Sequence, residues 1–300
     1  MARSTPLVFF GSDGFSVVVL EGLIKRGWPI SLVITAPERA PAGRTPPSSP
    51  VTELARRHRL NLSSPNKPTA GYLAKLKAQL PGWAVLASYG QILTPSALDM
   101  FTAIVNVHPS LLPRWRGPSP IEAVILAGEK QTGVSLMKLA AKMDAGPVYA
   151  QAKTRLSERD DQVSLEQKLA ELGRDLLIEK LPDIISGRLS PEPQDDKQAT
   201  YCQLIKKSDA QLDWSEPAVT LERKIRAYAL WPKARAEILG RDVIVTKASV
   251  VDGKGQPGQV STENGGLVVN CGQDALSIKR LKPAGRAEMS AVEFLRGYRS

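Results

Sequence analysis

The chain of 300 residues holds two cysteines, two histidines and few aromatics, 5% of the total. Cys202 and Cys271 stand far apart, which argues against a disulfide framework and against a thiolate metal site. No apolar run approaches the roughly 18 residues that a membrane-spanning helix needs. Residues 1–6 are polar and pass straight into an apolar strand, so neither a leader nor a membrane anchor is expected and the cytoplasm is the expected compartment. No repeat or low-complexity tract is visible. A reaction that needs an imidazole must use His58 or His108.

What is present is an ordinary globular composition, with 42% apolar and 23% charged residues. The net charge is +10 and the sequence pI about 9.6, a balance that suits an anionic partner without choosing among nucleic acid, phosphorylated metabolite and acidic lipid. The excess is spread out: residues 1–188 carry 23 basic against 16 acidic side chains, and residues 209–300 carry 14 against 11.

Short apolar runs alternate with helical patterns. Strands are expected at 7–10, 30–35, 83–88, 103–107, 133–139 and 148–156. Helices are expected at 15–26, 51–59, 71–80, 95–100, 120–126 and 165–185. This order predicts an α/β fold, a mainly parallel sheet with helices on both faces. Residues 36–50, with five prolines and no periodicity, are read as a long loop of the kind that is usually functional or disordered. Residues 189–208 lose all periodicity and are read as a linker between a domain at 1–188 and another at 209–300. The second domain opens with a helix near 218–229. Five short strands at 234–239, 242–249, 258–261, 267–270 and 275–281 then suggest a small β-barrel.

The run Asn106-Val107-His108-Pro109-Ser110-Leu111-Leu112-Pro113-Arg114-Trp115-Arg116-Gly117 carries the chemistry. Alternate side chains of a strand share a face, so Asn106 and His108 point the same way, and Pro109 ends the ladder. A carboxamide donor beside a titratable ring suits an oxyanion that must be stabilised while a proton moves. Asp144 sits in a turn before Gly146, where a carboxylate near His108 would orient the ring. The turn Gly11-Ser12-Asp13-Gly14 is not a Gly-x-Gly-x-x-Gly run and is a weak nucleotide signature; it serves better as a turn of close backbone approach.

Asn-x-His-x-Ser-Leu-Leu-Pro followed by Met143-Asp144-Ala145-Gly146 resembles the folate-dependent formyltransferase family. Supporting runs are Pro41-Ala42-Gly43-Arg44, Ala87-Ser88-Tyr89-Gly90, Leu212-Asp213-Trp214 and Trp231-Pro232, so the resemblance covers nearly the whole chain. It implies a Rossmann-like first domain, an OB-like C-terminal barrel, 10-formyltetrahydrofolate as co-substrate, no metal, and the amino group of methionine on initiator tRNA as acceptor. No obligate protein partner is implied. It makes Asn106, His108 and Asp144 the catalytic set. Tyr89, Gln91, Ile92, Leu93, Ser110, Leu111, Leu112 and Pro113 would line the folate pocket. Arg39 and Arg44 on the long loop, with Lys206 and Lys207, would meet tRNA phosphates. The loop lacks the lysine run common in the family, and the first turn lacks its usual proline. The same trio would serve an enzyme that formylates a nucleotide-linked sugar amine or a glycinamide nucleotide, and a tRNA- or folate-binding protein without catalysis is the remaining alternative.

Overall fold

The computed structural model describes residues 5–38, 48–76, 80–262 and 265–297. The chain divides into two compact units. The first comprises residues 1–117, 131–155 and 166–202; the second comprises 118–130, 156–165 and 203–300.

The first unit is built on a seven-stranded sheet. Its strands are β1 (Leu7–Phe10), β2 (Ile30–Ile34), β3 (Leu62–Ser63), β4 (Trp83–Leu86), β5 (Ala103–His108), β6 (Gln131–Lys138) and β7 (Val148–Arg155), in the order β3-β2-β1-β4-β5-β6-β7. The first five run parallel, and β6 and β7 are antiparallel. The mainly parallel sheet expected from the alternation is therefore present, with an antiparallel edge. β5 is buried along its whole length, as a strand covered on both faces must be.

Helices α1 (Gly14–Lys25), α2 (Pro50–Arg57), α3 (Ala70–Lys75) and α4 (Pro95–Leu98) follow the parallel strands. Helix α5 (Pro120–Ala127) belongs to the second unit, and α6 (Gln162–Ile185) begins in the second and runs mostly in the first. Asp13 caps α1 by accepting from the Ser16 amide, and Ser49 caps α2 with Pro50 in its first turn. One face of the sheet presents Val8, Phe10, Leu32, Ile34, Ala84 and Ile104, packed with Leu73 of α3 and Ala97 of α4. The other face meets α6, where a Cβ on Gly173 would come within 2.7 Å of Val107. Because side chains alternate, Asn106 and His108 share the face of Ile104 and lie opposite Val107.

The second unit holds an antiparallel sheet of β8 (Arg235–Ile238), β9 (Arg241–Val251), β10 (Val260–Ser261), β11 (Leu267–Asn270), β12 (Ala275–Pro283) and β13 (Met289–Ser290). Its order is β10-β11-β12-β9-β8, with β13 against β12. Helices α7 (Ala218–Ala227) and α8 (Ala291–Gly297) supply Leu221, Ile225, Phe294 and Leu295 to the core of this curled sheet. β13 and α8 had no signal in the periodicity: two residues and seven residues are too short to establish a period.

Candidate functional site

The site gathers at the carboxyl ends of β4 and β5, where ligands of open α/β sheets bind. Three turns converge there. In the first, Ser16 Oγ donates to the carbonyl of Ala87 at 2.6 Å, and Ser12 Oγ donates to the carbonyl of Tyr89 at 3.0 Å. The Ala36 amide donates to Ser12 Oγ at 3.0 Å. The turn at Gly11–Gly14 thus ties together the segments that leave β2 and β4. A Cβ on Gly11 would lie 2.6 Å from that of Ser16, which is why the first position is glycine.

The second turn follows β5. Its register sets Asn106 between Leu86 and Met137, and His108 beside Ser135. Asn106 is 6% exposed, and among the described residues its carboxamide has no hydrogen-bond partner. His108 is 5% exposed and donates from Nε2 to the Trp115 carbonyl at 3.1 Å, since a carbonyl can only accept. Nδ1 is then the nitrogen left facing Asp144, with Oδ1 3.7 Å away. The loop between is held from below: Ser135 Oγ donates to the Ser110 carbonyl at 2.7 Å and accepts from the Leu112 amide at 3.0 Å. Gln151 Nε2 donates to the Leu112 carbonyl at 2.7 Å, and Ser110 Oγ to the Arg114 carbonyl at 2.7 Å.

The third turn carries Asp144, whose φ of 47° lies in the left-handed region. Its Oδ2 accepts from the Gly117 amide at 2.8 Å, which joins the second turn to the third. Gly146 has no room for a side chain, because a Cβ would lie 1.8 Å from the Lys138 carbonyl oxygen. The structure brings Asn106 and His108 to one face of β5 and places Asp144 against His108.

The expected folate-lining residues are placed differently from one another. Tyr89 is buried, with its ring 5.3 Å from that of Phe10 in an edge contact, and burial pushes its phenol pKa up. Leu93 belongs to the same core, whereas Ile92 is 80% exposed. Gln91 Nε2 donates to the Pro65 carbonyl at 3.2 Å. Ser110 and Leu112 are buried, and Leu111 and Pro113 are half-buried. Arg39 and Arg44 lie outside the described residues. The Ser49 amide donates to Glu38 Oε1 at 2.9 Å, and this bond holds the Glu38 carboxyl below its usual pKa. Lys206 and Lys207 are exposed in the second unit.

Sequence reasoning passed over Gln194 and Thr200, which sit in the segment read as a linker. Gln194 Nε2 donates to the carbonyls of Asp144 at 2.8 Å and Gly146 at 2.6 Å, and Thr200 Oγ1 accepts from the Trp115 amide at 2.9 Å. Neither has a local pattern to betray it, because the contacts span 48 to 85 residues of chain. Among the described residues, no group of three or more His, Cys, Asp or Glu is placed to hold a metal ion, and no helix is long and apolar enough to cross a membrane. A separate cavity of about 740 Å³ lies in the second unit, its walls carrying Lys130, Arg159, Arg223, Arg226 and Lys247.

Comparison with known proteins decides the family. The Formyl transferase family matches residues 6–181, and the family's C-terminal domain matches residues 204–299. This chain belongs to the formyltransferase family. The formyltransferase is 40% identical over 301 residues to the methionyl-tRNA formyltransferase of Halorhodospira halophila, covering 98% of this chain and 96% of that protein. It is 39% identical over 297 residues to the one from Methylococcus capsulatus, covering 97% and 96%. Among solved structures, the formyltransferase resembles HypX from Aquifex aeolicus in complex with tetrahydrofolic acid, with a TM-score of 0.67 and 18% identity. That match covers 98% of this chain and 47% of HypX. It also resembles the N-formyltransferase from Helicobacter canadensis bound to folinic acid and dTDP-3-aminofucose, with a TM-score of 0.69 and 15% identity over 92% of this chain and 99% of that one. At such identities the two structures show a shared fold.

Proposed function

We propose that this formyltransferase moves a formyl group from 10-formyltetrahydrofolate to the α-amino group of methionine on initiator tRNA, giving formylmethionyl-tRNA for translation initiation in the cytoplasm. One observation carries the reading: relatives named for this reaction match through both units, over 96% of their own length. The arrangement of Asn106, His108 and Asp144 suits the chemistry.

An α-amino group has a reference pKa near 7.7, so a useful fraction is neutral near pH 7 and attacks without prior activation. As the new C–N bond forms, the carbonyl electron pair moves to oxygen. Asn106 donates its N–H to that oxygen. The attacking nitrogen then loses a proton to the His108–Asp144 pair. The folate N10 gains a proton as the old C–N bond breaks and the oxyanion electrons restore the carbonyl. With Nε2–H held by Trp115, the exchange runs through Nδ1 and the carboxylate facing it. No covalent enzyme intermediate is needed.

The donor's ring system is accommodated by the irregular segment Tyr89-Gly90-Gln91-Ile92-Leu93 after β4 and by Ser110, Leu111, Leu112 and Pro113. Tyr89 contributes main chain only, since its ring is in the core. Ile92 offers an exposed apolar surface to the pterin. Arg39, Arg44, Lys206 and Lys207 contact tRNA phosphates, so binding weakens as salt rises. We assign catalysis to residues 1–188 and further tRNA contacts, beyond those four side chains, to residues 209–300. The connecting residues 189–208 lend Gln194 to the first.

The test is to incubate the protein with 10-formyltetrahydrofolate and either charged initiator tRNA or a nucleotide-linked sugar amine. Formylation of the methionyl-tRNA is expected. Formylation of the sugar amine alone, or of neither, overturns the reading.

A further inference from the structure

Arg116 is fully buried, although its charge is permanent. The nearest carboxylate is Asp196 Oδ1, 2.7 Å from Nη1 on a side chain that is largely exposed. That guanidinium, and after it Lys142, hold the Asp196 carboxyl below its usual pKa. Burying a cation in this way is costly, and the chemistry proposed above does not use it.

What the guanidinium does is visible in its other contacts. Nε and Nη2 both donate to Oε1 of Gln194, at 3.0 and 2.9 Å. This fork fixes which end of the Gln194 amide faces inward. With Oε1 committed, Nε2 must point the other way, onto the carbonyls of Asp144 and Gly146. The backbone on which Asp144 rides, left-handed at that residue, is thereby fixed from behind. The carboxylate of Asp144 is fixed from the front by the amide of Gly117, the residue after Arg116. Arg116 is itself held along its main chain: its amide donates to the Thr200 carbonyl at 2.9 Å, and its carbonyl accepts from the Cys202 amide at 2.8 Å. One buried residue thus governs both ends of Asp144.

We propose that Arg116, acting through Gln194, is a positioning residue for the transfer step: it sets the distance and angle of Asp144 on His108. The inference rests on the proposed role of that pair.

The decisive variant is Gln194→Glu. A carboxylate still accepts the Arg116 fork but cannot donate to the two carbonyls, so it separates the clamp from the buried charge. Gln194→Met removes both contacts, and Arg116→Lys keeps the charge but loses the fork. In the formylation assay, Gln194→Glu and Gln194→Met are expected to lower kcat about 10- to 100-fold, with KM for the folate little changed, because misplacing a reacting group by about 1 Å costs that much. A second readout needs no activity. The chain has only two histidines, so the imidazole of His108 can be followed by NMR against pH with His58 as internal reference. The Gln194 variants are expected to displace the His108 titration and leave that of His58 in place. Thermal unfolding checks that each variant is folded, and if Arg116→Lys is not, the Gln194 variants decide. Folded Gln194 variants with wild-type kcat and an unmoved His108 curve would overturn the proposal. A wild-type enzyme that fails to formylate methionyl-tRNA while its His108 curve still responds to Gln194 would overturn the function and leave the positioning role standing.

Discussion

Replacing Asn106 by alanine tests the oxyanion argument directly. The side chain is 6% exposed, between Leu86 and Met137 in the sheet, and has no hydrogen-bond partner among the described residues. Its removal therefore strands no donor or acceptor in the fold, and the structural cost is that of a small cavity, about 1 kcal/mol. The kinetic cost is of another size. Losing one preorganised oxyanion donor costs about 10²–10³ in kcat, or about 3–4 kcal/mol of transition-state stabilisation. The two costs are measured separately, by denaturant unfolding and by single-turnover formyl transfer with both substrates saturating. Asn106→Asp sharpens the test, because it preserves shape while removing the donor and setting a negative charge toward the developing oxyanion. It is expected to be slower than Asn106→Ala, although its volume is nearly native. A fall of less than about threefold for Asn106→Ala, under 1 kcal/mol, would refute the assignment. So would an aspartate variant as active as the native protein.

Asp144→Asn keeps an oxygen for the Gly117 amide but turns the other end of the side chain into a neutral amide. It is expected to lower kcat and change the shape of the pH–rate profile, and a profile of unchanged shape would contradict the His108–Asp144 relay. Gly146→Ala forces a methyl against the Lys138 carbonyl and is expected to cost about 3 kcal/mol or more in denaturant unfolding, with loss of activity, whereas native-like stability would show that the turn can open. In the second unit, burial raises the Glu122 pKa above its ordinary 4.5, despite the 2.7 Å bond from Gln162. The folded state is therefore penalised once Glu122 ionises, so stability falls as pH rises from 4.5 through the raised value. Glu122→Gln is expected to raise the melting temperature near neutral pH, with the gain vanishing below about pH 4.5; an equal gain at all pH values would refute the burial argument.

Local rules account for much of this molecule. Short unbroken runs such as Leu7–Phe10 and Ala103–His108, too brief for a helix, read as strands buried on both faces, and Asp13 and Ser49 mark where helices start because their side chains satisfy the first amides. The shared face of Asn106 and His108 also follows from the chain alone, being a consequence of two-residue alternation. The antiparallel edge does not follow, because a strand's direction depends on where the preceding connection returns it, and α5 returns the chain to β6 from a different compact unit. The ring of Tyr89 joins Phe10 in the core, a packing choice made by side chains 79 positions apart.

The amino-acid order by itself determined which groups this protein owns: a single amide–imidazole pair at a strand end, a glycine turn for an aspartate, and a basic surface. Those are properties of residue type and short spacing. Whether the carboxylate reaches the ring was decided by tertiary structure. It depends on Gln194 and Gly117 converging on one turn from distant parts of the chain, and the hydrogen bonds that hold them exist only after the sheet has formed.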